Sequence, residues 1–171
     1  MGNYTIVETD RLFLRHFIPS DVDEMLKLFS DPVAMAHYPG TKNRYETEDW
    51  IGKNIQSYRD FGFGLYAVVL KKSRQCIGYC GFILQKDVDG TDEIEIGYSL
   101  IQAFRHNGYA TEAAIACREY GFGELYIERL ISLVRPENVP SRKVAERIGM
   151  HVEKRIHRWN FEHLVYVINK K

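Results

Sequence analysis

The stretch Glu93-Ile94-Glu95-Ile96-Gly97-Tyr98-Ser99-Leu100 is followed after a short gap by Arg105-His106-Asn107-Gly108-Tyr109-Ala110-Thr111-Glu112. The first alternates polar and apolar residues with period two, the pattern of a half-buried strand. The second is a glycine-containing loop opening a helix from about Ala110 to Phe122. A helix N-terminus exposes N–H groups without intrahelical partners and carries partial positive charge, so a loop wrapping into it can receive a phosphate or pyrophosphate. Gly108 lets such a ligand approach the backbone, the small Ala110 keeps the first turn open, and Arg105 adds a cation. Taken alone, the six residues R-x-x-G-x-A are better explained by a plain strand-to-helix turn.

The elements that must position this loop follow from periodicity and turn chemistry. Thr5–Glu8 and Leu12–Arg15 read as one interrupted strand, and Pro19-Ser20-Asp21 starts a helix ended by Asp31-Pro32. Residues 33–45 read as a loop. Thr47 is the expected cap of a second helix that runs to about Arg59. Phe63–Leu70, Cys76–Leu84 and Ile94–Tyr98 read as strands, with turn signals at 71–75 and at Asp89-Gly90. After the third helix come a strand at Ile131–Val134, a helix within Pro136–Gly149, and two strands at Val152–Arg158 and Leu164–Ile168. This order, β-α-α-β-β-β-α-β-α-β-β, predicts an α/β chain with a mixed sheet and helices on both faces.

Further pieces sharpen the reading: T-D-R-L-F-L-R at Thr9–Arg15, S-D-P-V-A-M at Ser30–Met35, E-I-G-Y-S-L at Glu95–Leu100, R-x-x-G-Y-A-T-E-A at Arg105–Ala113, and P-E-N-x-x-S at Pro136–Ser141. In this order, with these strand and helix contexts, the chain resembles the GNAT acetyltransferases over nearly its whole length. More narrowly it is similar to the RimJ/RimL branch of ribosomal-protein N-terminal acetyltransferases. The resemblance implies one domain over residues 1–171 with a mostly antiparallel seven-stranded mixed sheet. Its fourth and fifth strands (94–98 and 131–134) splay apart to admit acetyl-CoA. Main-chain groups near Ser99, Leu100 and Ile101 would pair with the pantetheine arm, and the amides of His106, Asn107, Gly108, Tyr109, Ala110 and Thr111 would hold the pyrophosphate. Asn138 would contact the pantetheine or sulfur end.

Amide formation sets chemical demands of its own. An α-amine (pKa about 8) or a lysine amine (about 10.4) is mostly protonated at neutral pH, so something must accept its proton before the nitrogen attacks the thioester. The developing oxyanion needs a donor, expected from a backbone N–H at a bulge in the fourth strand. Glu95 is the first candidate base. Glu93, two residues earlier on the same face, is a second through water, with an arginine partner or solvent as its plainer fate. Many relatives carry a tyrosine as general acid in the helix after the asparagine, where this chain has Ala145. In the RimJ/RimL-like branch the substitute is the serine three after the asparagine, here Ser141, acting as a hydrogen bond to the thiolate. Ser141 also suits a helix N-cap after Pro140. A non-catalytic acyl-CoA sensor on the same fold is compatible with the missing tyrosine.

Composition bounds what remains. The chain has 171 residues, 45% hydrophobic and 13% aromatic, enough for a core. Its 23 basic and 23 acidic residues cancel, which gives no default case for nucleic acid or a membrane surface. Arg142, Lys143 and Arg147 make a weak case for nucleic acid and are expected instead to form a solvated helix face or to meet the 3′-phosphate of CoA. Cys76, Cys80 and Cys117 form no disulfide framework and suit a reducing, cytoplasmic setting. Cys76 and Cys80 are expected on one side of a strand without a second ligand pair, and no histidine spacing suggests a metal. The opening residues have no signal-peptide h-region and do not complete a myristoylation pattern at Gly2. Trp50, Tyr58, Phe61 and Phe63 are read as core, and Asp31, Met35 and Tyr38 as the acceptor side by resemblance. The expected acceptor is a primary amine, on a protein N-terminus or a small molecule, and the chain is expected to act as a monomer or homodimer. Cys117 lies away from the strand, so direct attack in a ternary complex is preferred over an acyl-enzyme.

Overall fold

Thr9-Asp10-Arg11 turns the opening segment back on itself. In the computed structural model, which describes residues 4–171, Thr9 N–H donates to the Leu12 carbonyl (2.9 Å) and Leu12 N–H donates back to Thr9 Oγ1 (3.0 Å). The expected single interrupted strand is therefore two, β1 (Thr5–Glu8) and β2 (Leu12–Arg15), paired antiparallel, and the sheet has eight strands instead of seven. The remaining strands are β3 (Leu65–Leu70), β4 (Cys76–Val88), β5 (Thr91–Leu100), β6 (Arg129–Val134), β7 (His151–Arg158) and β8 (Phe161–Asn169). Their order is β1-β2-β3-β4-β5-β6-β8-β7, antiparallel throughout except for the parallel β5–β6 pair. The readings at Met1 and Gly2 lie outside the described residues.

Four helices cover the two faces: α1 (Val22–Phe29), α2 (Arg44–Phe61), α3 (Tyr109–Gly123) and α4 (Val139–Arg147). Val22, Met25, Leu28 and Phe29 of α1 join Ile51 of α2 in one core against Ala67, Val69 and Tyr79. Ala113, Ala114 and Cys117 of α3 and Val144, Ala145 of α4 fill the other against Ile77, Phe82 and Ile96. Among the described residues no helix is long and apolar enough to cross a membrane.

Two local expectations change. The cap of α2 is Asn43, not Thr47: Asn43 Oδ1 accepts from Glu46 N–H (2.9 Å) and Glu46 Oε2 accepts from Asn43 N–H (2.8 Å), a reciprocal capping box. Thr47 sits buried one turn further on. Cys76 and Cys80 face opposite sides of the sheet, Cys76 in the α1 core and Cys80 in the α3 core. The cause is a bulge on β4, where Val68 opposes Gly78 while Val69 opposes Cys76, so Ile77 is the extra residue and the period-two phase slips.

The β1–β2 turn is strapped to the start of α3. The Glu112 carboxylate accepts from Thr9 Oγ1 (2.6 Å), Arg11 N–H (3.1 Å) and Arg11 Nε (2.7 Å), and pairs with Arg11 Nη2 (2.6 Å). Arg11 Nη1 then donates to the Asn107 carbonyl (3.0 Å), fixing the loop before α3. Burial acts to raise the Glu112 pKa, but the bonds from Thr9 and Arg11 outweigh it and hold the carboxyl below the ordinary value. A lowered folded pKa gives stability that is present above the unfolded value, ordinarily 4.5, and is lost as pH falls through the folded one. Glu112→Gln is therefore expected to cost about 1 kcal/mol at pH 7, because Arg11 is half-exposed and solvent screens the pair. Thermal unfolding from pH 7 to pH 3 checks this: the gap between variant and parent should close towards acid, and a pH-independent gap would count against the strap.

Candidate active site

β5 and β6 pair at one register position, Glu95 opposite Ile131, and diverge beyond it. The β5 edge from Gly97 to Leu100 consequently has no strand on its β6 side, while its other side runs in unbroken register with β4 from Gln85↔Glu93 to Gly78↔Leu100. The bulge expected in this strand is absent; the irregularity lies at Gln85/Val88, next to the β4–β5 turn. A straight, half-paired strand still leaves main-chain groups open on one side, the arrangement an extended chain uses to add itself to a sheet.

Glu95 occupies the crotch of this fork. Its Oε1 accepts from Leu133 N–H (3.0 Å) and its Oε2 from Gln85 Nε2 (2.6 Å), so one side chain ties β4, β5 and β6 together. The residue is 8% exposed, and burial pushes its pKa above the ordinary carboxylate value against the opposing pull of Leu133, Gln85 and Arg158. Glu93 is not brought to the same place. It pairs with Arg129 (3.1 Å), which also reaches Glu153 (2.8 Å).

The far prong of the fork leads into α4. Asn138 is the cap, its Oδ1 accepting from Ser141 N–H (3.3 Å). The capping role read for Ser141 therefore belongs to Asn138, because α4 begins at Val139, before Pro140. No bond to the Ser141 hydroxyl forms among the described residues, while Tyr98 Oη donates to the Ser141 carbonyl (2.7 Å) across the fork. Ala145 is fully buried on the core side of α4. Lys143 is exposed, and Arg142 is turned to Tyr166 Oη (3.2 Å) and the Pro136 carbonyl (3.0 Å).

Between the prongs lies a cavity of about 400 Å³ that brings Glu95, Asn138 and Ser141 together. Part of its remaining wall is aromatic: Tyr38 and Tyr79, whose hydroxyls meet at 3.3 Å, with Trp159 and Phe161 from the β7–β8 hairpin; Arg135 and His163 also line it. Tyr38 was expected on this side; Asp31 and Met35 do not line the cavity, nor do Trp50, Tyr58, Phe61 and Phe63. Tyr79, Trp159, Phe161 and His163 escaped the sequence reading. Tyr79 carried no signal because the β4 bulge sets its face, and the other three belong to the β7–β8 hairpin, far along the chain from β5.

The Arg105–Thr111 loop lies beyond the end of β5. Gly108 adopts a left-handed conformation (φ 79°) as the residue before α3. Among the described residues the amides of His106, Asn107, Gly108, Tyr109, Ala110 and Thr111 have no hydrogen-bond acceptor, while the neighbouring Arg105 and Glu112 amides are satisfied by Gln102 and Gly108. Such a row of unpaired N–H groups at a helix N-terminus fits a pyrophosphate. The Asn107 side chain folds onto the carbonyls of Phe104 and Arg105, and Arg105 Nε donates to the Leu100 carbonyl (3.1 Å). Ile101 is buried with its amide on Ile77 and its carbonyl accepting from Phe104, so its main chain is already engaged. Ser99 and Leu100 lie on the part of β5 that has no β6 partner, the Leu100 carbonyl being taken by Arg105.

Residues 11–151 match the family model for the acetyltransferase (GNAT) domain. The chain is 36% identical over 167 residues to the uncharacterized protein YkkB of Bacillus subtilis, covering 97% of this chain and 96% of that one. Its structure is similar to that of an acetyltransferase from Agrobacterium tumefaciens C58, with TM-score 0.85, 29% identity, and coverage of 99% and 96% of the two chains. It also shares its fold with the Salmonella typhimurium acetyltransferase that modifies the N-terminal serine of ribosomal protein L7/L12, with TM-score 0.81, 18% identity, and coverage of 95% and 97%.

Proposed function

The chain belongs to the GNAT family of N-acetyltransferases, and from that membership we propose that it moves the acetyl group of acetyl-CoA to a primary amine by direct attack in a ternary complex. The observation that carries this reading is the fork itself: an unpaired β5 edge leading to a row of unpaired amides at the start of α3. Pantetheine adds along Ser99 and Leu100, and the pyrophosphate rests on the amides of His106 to Thr111. Arg105 and Lys143 supply cations for the phosphates. Asn138 and Ser141 meet the thioester end, where the Ser141 hydroxyl donates to the departing thiolate. An edge amide of β5 past Glu95 serves the oxyanion. Glu95 takes the proton that the acceptor ammonium sheds before attack. All three cysteines are buried away from the cavity, which supports direct attack over an acyl-enzyme.

The acceptor we favour is the α-amine of a protein N-terminus. Its pKa of about 8 leaves more neutral amine at pH 7 than a lysine does, and the shared fold with the Salmonella enzyme suggests the same class of acceptor. A cavity lined by one carboxylate, Glu95, and by the cation Arg135 suits a single ammonium better than a polycation. A thermal scan tests the cofactor assignment first. Acetyl-CoA at a hundredfold excess over Kd should add about 2.7 kcal/mol, or about 5–10 °C, with little effect from ADP. No shift at saturating acetyl-CoA would remove the assignment.

A further inference from the structure

An ammonium sheds two protons on becoming an amide nitrogen. The first leaves before attack, and the second leaves the nitrogen once the C–N bond begins to form. Glu95 already accepts two hydrogen bonds, from Leu133 and Gln85, and provides for the first of these transfers in the reading above. The same cavity contains a second titratable group that no motif singled out. His163, on β8, is 6% exposed and lines the cavity with Glu95, Asn138 and Ser141.

The geometry of its ring bears on its tautomer. His163 Nδ1 lies 3.1 Å from the Phe161 carbonyl oxygen. A carbonyl can only accept, so Nδ1 carries a hydrogen, and in the neutral ring Nε2 keeps its lone pair. Nε2 has no partner among the described residues, and it is absent from the few fully enclosed polar atoms that lack one. It is therefore not sealed off, in a residue that lines the cavity. Trp159 stands edge-on to the ring at 5.5 Å and helps fix its orientation. Charged neighbours face it from two sides, Arg135 and Glu137 after β6 and Arg158 from β7, with Glu95 across the cavity. Burial, first, and the two arginines hold the imidazole below its usual pKa, with Phe161 and Glu137 acting the other way, which favours the neutral ring.

Resting on the acetyltransferase reading, we propose that His163 is a catalytic residue whose Nε2 accepts the second proton from the attacking nitrogen. The neutral amine attacks the thioester carbon; the C–N bond forms and the carbonyl π pair moves to oxygen. The attacking nitrogen, now positively charged and far more acidic than a free ammonium, gives its proton to Nε2. The oxyanion then collapses, the C–S bond breaks, and the thiolate takes a proton back, so amine and acetyl-CoA become amide and free CoA. A base of modest pKa suffices because the proton leaves an acidified nitrogen.

Long-range ¹H–¹⁵N correlation spectra of the protein with saturating acetyl-CoA read the tautomer directly. The expected result at pH 7 is a proton on Nδ1 and none on Nε2; an Nε2–H tautomer or an imidazolium would overturn the proposal whether or not an acceptor is in hand. Turnover is read as CoA release with 2-phenylethylamine and with a short peptide amide bearing a free serine N-terminus. His163→Asn keeps a donor for the Phe161 carbonyl and removes the base. It is expected to lower kcat about 10²–10³-fold. The Kd for acetyl-CoA should stay within about twofold, and the deficit should shrink at high pH as hydroxide replaces the ring. Wild-type kcat in His163→Asn would sink the assignment. Failure of the parent protein to bind acetyl-CoA would instead sink the acetyltransferase reading, and where neither amine is turned over the spectrum decides.

Discussion

Glu95→Gln is expected to lower turnover by about 10²–10⁴-fold while leaving acetyl-CoA affinity close to the parent's. The amide keeps an oxygen for Leu133 N–H, and Gln85 can turn its own amide to present the complementary group, so the tie across β4, β5 and β6 survives. What disappears is the buried negative charge and its capacity for a proton. Because burial raises the Glu95 pKa, the acid limb of kcat/KM should fall above the ordinary carboxylate value, and the Gln variant should lack that limb. The stability sign is opposite to that of Glu112. A raised folded carboxyl pKa means that ionisation costs stability as pH rises from the unfolded value through the folded one. The Gln variant should therefore melt no lower than the parent at pH 8, and the difference should vanish below about pH 4. Steady-state kinetics and melting on the same samples separate the two effects. Unchanged turnover in Glu95→Gln would remove the residue from the chemistry and leave it as a strut.

The largest effect on stability is expected at Asp21. Arg15 on β2 and Asp21 at the entry to α1 form a bidentate pair, Nη1 to Oδ2 and Nη2 to Oδ1, both at 2.7 Å, with side chains only 8% and 6% exposed. Asp21 Oδ2 also accepts from Ile18 N–H (2.9 Å), so the carboxylate fixes the bend from sheet to helix. Asp21→Ala strands a guanidinium in the core and is expected to cost about 3–5 kcal/mol. For a chain of this size that is roughly 6–20 °C in Tm. The double variant Arg15→Met/Asp21→Leu removes both charges and should recover most of the loss, since a well-packed apolar pair can replace a buried ion pair. Denaturant melts of the single and double variants decide it; a loss under about 1 kcal/mol in Asp21→Ala would show that water reaches the guanidinium.

The same pair illustrates where sequence reading stops. Arg15 is legible as the end of a strand and Asp21 as the start of a helix, each from its near neighbours, but nothing in that spacing says that they meet. Likewise Gly108 and the residues after it are legible as a strand-to-helix loop from local chemistry, and among the described residues the amides from His106 to Thr111 are unpaired. The residue that holds it, Arg11, comes from the far end of the chain, bonding the Asn107 carbonyl and the Glu112 carboxylate at the start of α3. Ser141 shows the converse. A serine after proline at a helix start reads as a cap, and only the observed helix boundary at Val139 hands that task to Asn138 and frees the hydroxyl.

Sequence alone determined the element order except for the split of the first strand, the α/β class with helices on both faces, the strand-loop-helix unit from Glu93 to Phe122, and the family. These follow from periodicity, turn residues and helix-terminal chemistry, which act over a few residues and leave a local imprint. Tertiary structure alone decided which strands pair and in what phase. A one-residue bulge at Ile77 sends Cys76 and Cys80 to opposite cores. A single β5–β6 register position opens the fork and sends Glu95 to Gln85 and Leu133 while Glu93 goes to Arg129. The β7–β8 hairpin brings Trp159, Phe161 and His163 over a cavity whose floor is more than sixty residues earlier in the chain. Such contacts depend on register between distant segments, and a shift of one residue reverses the face of every side chain beyond it.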